Sequence, residues 1–289
     1  MQLYALIFFF GLFVGSFINV LALRYKPGEK IFKSDRVTGR SHCPYCKKTL
    51  SWYELIPLIS FLLQRGKCRS CKKALSLRYP VVEVVAGIVG AATICALTKN
   101  AWLSLTAPSA EQLILAGLWL TFIYALLLMS LIDLKYSIIP DRLNVFLFIN
   151  ALAIAIVRLA LLKPEFNGSF FKSYASIFGF SSTPIVSLLV AVLFAAGFFA
   201  LIIAVTKGRG MGMGDLKLAP ALALAVGWPD IILLISSSFI IGSLISLPLL
   251  IQKKKKLKQA VPFGPFLALA LFATITYGGE FIRWYFSLI

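Results

Sequence analysis

Eight apolar stretches fix what this chain can fold into. They run at about 3–23, 80–98, 111–133, 143–162, 184–205, 215–227, 231–251 and 262–282. Crossing the hydrocarbon core of a bilayer as a helix takes ~20 apolar residues, and seven of the eight approach or exceed that length. Only 215–227 falls short, and Gly227-Trp228-Pro229 closes it. That segment must tilt, thin the bilayer locally or pack inside the helix bundle. With 60% hydrophobic residues and a mean hydropathy of +0.89, the reading is an all-α polytopic membrane protein of about eight transmembrane helices.

Charge sets the predicted orientation. The formal net charge is +18, but the basic residues are clustered. Residues 24–79 hold fourteen Lys/Arg against three Asp/Glu; the other clusters are Lys207, Arg209 and Lys217, then Lys253 to Lys256 with Lys258. Basic residues collect in cytoplasmic loops, so the excess implies a membrane topology and no nucleic-acid partner. No basic residue precedes the first apolar run, and Arg24 and Lys26 follow it. That run is therefore a retained helix with its N-terminus outside, not a cleaved signal. Eight spans then place loops 24–79, 133–143, 206–215 and 252–261 in the cytoplasm and both termini outside. The outside loop 163–183 carries Phe166, Phe170, Phe171, Tyr174, Phe178 and Phe180, an aromatic set suited to the membrane interface.

The insert at 24–79 contains Cys43-Pro44-Tyr45-Cys46 and Cys68-Arg69-Ser70-Cys71. Two CxxC pairs have zinc-ribbon form, each presenting two thiolates of a tetrahedral shell. A cytoplasmic loop disfavours the alternative of two disulfides. A four-cysteine shell has no open position, so the zinc is expected to be structural. His42 reads as a neighbour of this site and Cys95, alone in an apolar span, as a packing residue. Trp52-Tyr53-Glu54-Leu55-Ile56-Pro57-Leu58 is too apolar for a solvated loop and is expected to fold back on the membrane surface or the bundle. On the first helix Gly11, Gly15 and Asn19 share a face; the glycines suit close helix packing, and Asn19 suits helix glue or a ligand site equally. Glu83, near a helix start, suits either the helix dipole or a polar cleft.

Two carboxylates stand at span ends. Asp133 closes an apolar run before Leu134-Lys135-Tyr136-Ser137-Ile138-Ile139-Pro140-Asp141, and Asp215 lies in Gly212-Met213-Gly214-Asp215. Carboxylates at the edge of hydrocarbon are costly and point to function. The predicted topology puts both at the cytoplasmic side. The bland alternatives are a pairing of Asp133 with Lys135 and an N-cap role for Asp215. Asp141, after Pro140, reads as a cap. Glycines at 208, 210, 212 and 214 do not form a phosphate loop; they are expected to keep the backbone beside Asp215 accessible and mobile.

These motifs, together with Gly15-Ser16-Phe17-Ile18-Asn19-Val20, Arg24, Trp52-Tyr53-Glu54, Arg78-Tyr79-Pro80 and Pro262-Phe263-Gly264-Pro265, resemble the type IV prepilin peptidases in order and over nearly the full length. Gly-x-Gly-Asp with a second Asp also resembles the wider class of membrane aspartyl proteases. The resemblance implies Asp133 and Asp215 as the catalytic pair. It implies removal of the basic leader from prepilins and pseudopilins at the inner membrane, then methylation of the new α-amine from S-adenosylmethionine. Asn19, Glu54 and Glu83 are the candidate methyl-donor contacts. The expected organisation is a first helix (1–23), a cytoplasmic zinc-binding loop with a methyltransferase part (24–79) and a peptidase bundle (80–289). The rival readings are a transporter, which midplane charges would favour, and a noncatalytic assembly scaffold.

Overall fold

A computed structural model describes residues 2–28, 39–161, 169–171, 183–208, 210–251 and 261–287. Nine α-helices are seen among them: α1 (Gln2–Arg24), α2 (Ile59–Leu63), α3 (Arg78–Lys99), α4 (Ala110–Tyr136), α5 (Asp141–Leu161), α6 (Pro184–Val205), α7 (Met213–Val226), α8 (Asp230–Ile251) and α9 (Gly264–Phe286). No strand occurs among the described residues, only two isolated bridges. Seven helices, all but α2 and α7, are long and apolar enough to cross a bilayer, which makes the chain a multi-pass membrane protein. Arg209, Phe166, Tyr174, Phe178, Phe180 and the lysines of 253–258 lie outside the described residues.

The chain divides into two compact units, Met1–Ala92 and Thr93–Ile289. In the first, α1 and the start of α3 approach closely at a glycine. A Cβ on Gly15 would lie 2.7 Å from the Ala86 Cβ and 2.9 Å from the Glu83 Cα, so the packing role expected of Gly15 is the one observed.

The second unit is organised around α7. At 14 residues this helix extends only ~21 Å, short of a lipid-exposed crossing, and it passes through the bundle wrapped in protein. Leu218, Ala219 and Ala221 through Val226 are all buried, chiefly against α5 and α6. Alanine at 219, 221, 223 and 225 lets these neighbours close in, and the ends of a short helix are tolerated at membrane depth when protein surrounds them. Of the three options for 215–227, packing inside the bundle is the one realised.

The far end of α7 holds a buried polar cluster. Gly227, at φ +85°, ends the helix. Arg158, fully buried on α5, donates from Nη1 to the Ala225 carbonyl at 2.7 Å and stacks 4.6 Å from the Trp102 ring centroid. Asp230, also fully buried, accepts from the Ser169 hydroxyl at 2.9 Å and from the Phe170 and Phe171 amides at 2.5 and 3.4 Å. Phe170 and Phe171 are core residues; Phe170 packs on Trp102 and Trp119, and Phe171 packs edge-on against Phe170. The interfacial placement expected for these two is thus corrected: their amides are drawn inward by Asp230 and their rings follow. Cys95 is corrected in the opposite sense; its side chain is exposed on α3 and not packed.

Candidate active site and metal centre

Three loop-to-helix junctions meet at the near end of α7. Helix α4 continues past Asp133 to Tyr136 and stops where Ser137 turns left-handed (φ 53°), its amide bonding the Asp133 carbonyl at 2.7 Å. Asp133 therefore lies in the last turn, 4% exposed, and its Oδ2 accepts from the Gly264 amide at the start of α9 at 3.0 Å. Asp215 is the third residue of α7, behind the cap position Gly212, and is 6% exposed. The N-cap alternative for Asp215 fails on this register. Its Oδ1 is buried with no hydrogen-bond partner among the described residues. The two carboxylates are close enough to interact electrostatically.

Ile139 is the wedge that sets this arrangement. A Cβ on Gly214 would sit 2.9 Å from the Ile139 Cβ; one on Gly264 would meet Asp133 Oδ2 and Met129 Sδ at 2.8 Å each and Ile139 Cδ1 at 3.4 Å. Glycine at 214 and 264 is therefore a packing necessity. The mobile, accessible backbone expected before Asp215 is corrected for Gly214, which is inside α7 and tightly packed. Asn144 Nδ2 reaches the Gly214 carbonyl at 3.4 Å. Asp141 is not a cap: it is the first residue of α5, Pro140 supplies the capping carbonyl to Leu143 and Asn144, and the Asp141 carboxylate pairs with Lys217 at 2.5 Å. Sequence reasoning missed Ile139, Gly264 and Lys217 as positioning residues, because their role is contact between segments distant in the chain. It also missed Arg158 and Asp230, for which a lone arginine inside an apolar span was an available signal.

In the first unit the two CxxC segments form matching knuckles. The Cys43 amide bonds the Lys48 carbonyl and the Cys68 amide the Lys73 carbonyl; Lys47 and Lys72 each turn left-handed at φ 59° and 58°. Each turn brings its two sulfurs to one side. All four Sγ atoms, of Cys43, Cys46, Cys68 and Cys71, lie within 4.8 Å of one another, a set able to hold a metal ion. Amides of Cys71 and Ser70 hold the Cys68 thiol down to about 7. Cys71 moves the other way, to about 11; the Lys73 amide favours its thiolate, but burial and the neighbouring sulfurs outweigh that. Four thiolates this close repel one another unless a cation joins them, which is the chemistry of a tetrahedral zinc shell. His42 stays outside the set, its ring 3.4 Å from the Arg40 carbonyl.

The same unit encloses a cavity of about 310 Å³, lined in part by Ser16, Arg24, Glu54, Phe61, Tyr79 and Glu83. Glu83 is buried, accepting from the Leu58 amide at 2.8 Å and from the Ser16 hydroxyl; the cleft role is the one observed. Glu54 bonds the Ser51 amide at 2.9 Å. Asn19 is fully buried, and neither amide atom has a hydrogen-bond partner among the described residues, but it does not line this cavity. The structure brings Glu54 and Glu83 to one space and leaves Asn19 apart from it.

Fold and geometry thus define a multi-pass membrane protein with two coupled, buried carboxylates and a separate four-cysteine unit. The model of the bacterial peptidase A24 N-terminal domain matches residues 9–97, and that of the type IV leader peptidase family matches residues 120–247. The prepilin leader peptidase/N-methyltransferase of Pseudomonas aeruginosa is 30% identical over 95% of this chain and 90% of its own length. That of Bacillus subtilis is 29% identical over 98% of both, and that of Aeromonas salmonicida 28% over 99% and 94%. No solved structure matches. The chain belongs to the type IV leader peptidase family.

Proposed function

We infer that this protein cleaves the leader peptide from type IV prepilins and methylates the new N-terminus, with Asp133 and Asp215 as the proteolytic pair. The carrying observation is the convergence of these two buried carboxylates from α4 and α7 beside the Gly264 amide. Two adjacent carboxylates do not both ionise readily and tend to share one proton. The ionised partner takes a proton from water as it attacks the scissile carbonyl; the protonated partner gives its proton to the leaving amine. They titrate as one coupled pair. The first turn of α7 favours negative charge at Asp215, and the Gly264 N–H fixes one oxygen of Asp133. A basic leader followed by an apolar helix puts the scissile bond at the cytoplasmic interface. The basic loops support that orientation in the inner membrane, with both termini outside.

Residues 1–23 form the first membrane helix, 24–79 carry the remaining chemistry, and 80–289 form the peptidase bundle. Cys43, Cys46, Cys68 and Cys71 hold one structural zinc. S-adenosylmethionine supplies the methyl group. The cavity suits a donor with both an ammonium and a carboxylate: Arg24 offers a cation, and Glu54 and Glu83 offer carboxylates. Asn19 lies outside that lining, but its amide has no hydrogen-bond partner among the described residues, and it is proposed as a separate donor contact. The α-amine has an ordinary pKa near ~7.7–8, so a nearby carboxylate suffices to draw off its proton. Pseudopilins share the leader chemistry and are expected substrates. The test is incubation of the purified protein with a prepilin and S-adenosylmethionine. Mass spectrometry should show loss of the leader and gain of one methyl group; an intact prepilin overturns the reading.

A further inference from the structure

The segment between the two knuckles has two faces. Ser60, Phe61 and Gln64 line the 310 Å³ cavity. Trp52, Ile59, Leu62 and Leu63 do not line it and are turned outward; Trp52 is 77%, Leu62 64% and Leu63 73% exposed. Residues 59, 62 and 63 share one side of α2 by helical spacing. Exposed apolar side chains grouped on one helix face, with an exposed Trp in the turn before it, mark an interaction surface.

Charge identifies the partner. Arg65, Lys67, Arg69, Lys72 and Lys73 are exposed in the stretch that directly follows α2. The single carboxylate between 39 and 78 is Glu54, and it is engaged by the Ser51 amide. A basic prepilin leader would be repelled here. An anionic lipid surface would be attracted, since cations near such a surface gain energy from its potential and apolar side chains beside them enter the headgroup boundary. The insert also has little freedom to leave the membrane. Its ends join α1 at Arg24 and α3 at Arg78, both span ends in the same unit.

We propose that Trp52, Ile59, Leu62 and Leu63 insert into the cytoplasmic leaflet while Arg65, Lys67 and Arg69 contact anionic headgroups, making this unit a lipid-docked module. The proposal rests on the membrane orientation given above. Docking holds the cavity at the bilayer surface, where proteolysis releases the amine to be methylated.

The test places a photo-crosslinking residue at Leu62, and separately at Trp52, in the full-length protein. It is reconstituted in vesicles of phosphatidylcholine with or without phosphatidylglycerol. Lipid adducts are expected at both sites, enriched in phosphatidylglycerol in the mixed vesicles. Arg65→Gln and Lys67→Gln should each lower that enrichment by up to about fivefold. Absence of lipid adducts overturns the proposal, as does capture of added prepilin or of a second copy of the chain instead. Zinc content and prepilin cleavage in the same samples report folding and the proposed activity separately. Lipid capture without cleavage leaves the docking surface standing and counts against the activity; cleavage without lipid capture does the reverse.

Discussion

The two ends of α7 both bury charge, and they treat it in opposite ways. At the Arg158–Asp230 end, Asp230 receives a hydroxyl and two backbone amides, and Arg158 covers a terminal carbonyl of the helix. At the Asp215 end, one carboxylate oxygen has no hydrogen-bond partner among the described residues, and Asp133 accepts a single backbone amide. A cation at a helix C-terminus and a carboxylate at an N-terminus both suit the dipole, so the register of α7 serves both ends. The difference lies in satisfaction. A buried carboxylate met by three donors, as Asp230 is, contributes rigidity, whereas an under-bonded one costs stability and persists where chemistry needs it. One end anchors the helix; the other holds the proposed proteolytic pair.

That contrast is open to attack in order of expected effect. Asp133→Asn and Asp215→Asn remove the proposed acid–base pair and should each lower cleavage by ~10²–10⁴-fold or more, with the protein still folded in the membrane; a purified prepilin assay checks this. Gly264→Ala should lower cleavage about 100-fold, because a Cβ 2.8 Å from Asp133 Oδ2 displaces the carboxylate from its place. Asp141→Asn should be milder, since it loses only an exposed ion pair with Lys217. At the other end the readout changes. Arg158→Met leaves Asp230 buried without its countercharge and should cost about 3–5 kcal/mol of stability, seen as a lower unfolding midpoint in detergent. Cleavage per folded molecule should stay near that of the unaltered protein. Strong inactivation without destabilisation would erase the distinction between the ends.

The four-cysteine unit, as the proposed zinc site, gives a smaller, pH-linked effect. Zinc takes thiolates, so its binding releases protons and weakens as acid competes. Cys68 has its thiol pKa held at about 7, below the ordinary 9.0, so its thiolate stabilises the folded unit above the ordinary value and that contribution fades as pH falls through about 7. Cys71, raised to about 11, must give its proton to the metal. Zinc titration of metal-free protein should therefore release protons at pH 8, with affinity falling as pH approaches 7. Affinity independent of pH would count against a thiolate shell.

Much of this was legible in the chain. Apolar run length placed every spanning helix to within a few residues, because the bilayer dictates that length. CxxC spacing placed the four sulfurs, because each knuckle is local. What escaped depends on contacts between distant segments. Nothing in the sequence says that Ile139 needs glycine at both 214 and 264, or that Asp141 reaches Lys217 and leaves capping to Pro140. Phe170 and Phe171 read as interfacial aromatics because composition cannot show that buried Asp230 draws their amides inward. The brevity of α7 was visible, but its shielding by α5 and α6 was not.

The most direct test presents each of Asp133→Asn and Asp215→Asn with two substrates: an intact prepilin, and the same pilin segment already trimmed to its mature N-terminus. S-adenosylmethionine is present throughout, and products are weighed by mass spectrometry. The expected result is an uncut prepilin and a normally methylated trimmed segment with both variants. Near-normal cleavage of the prepilin by either variant would contradict the assignment of these two aspartates as the proteolytic pair.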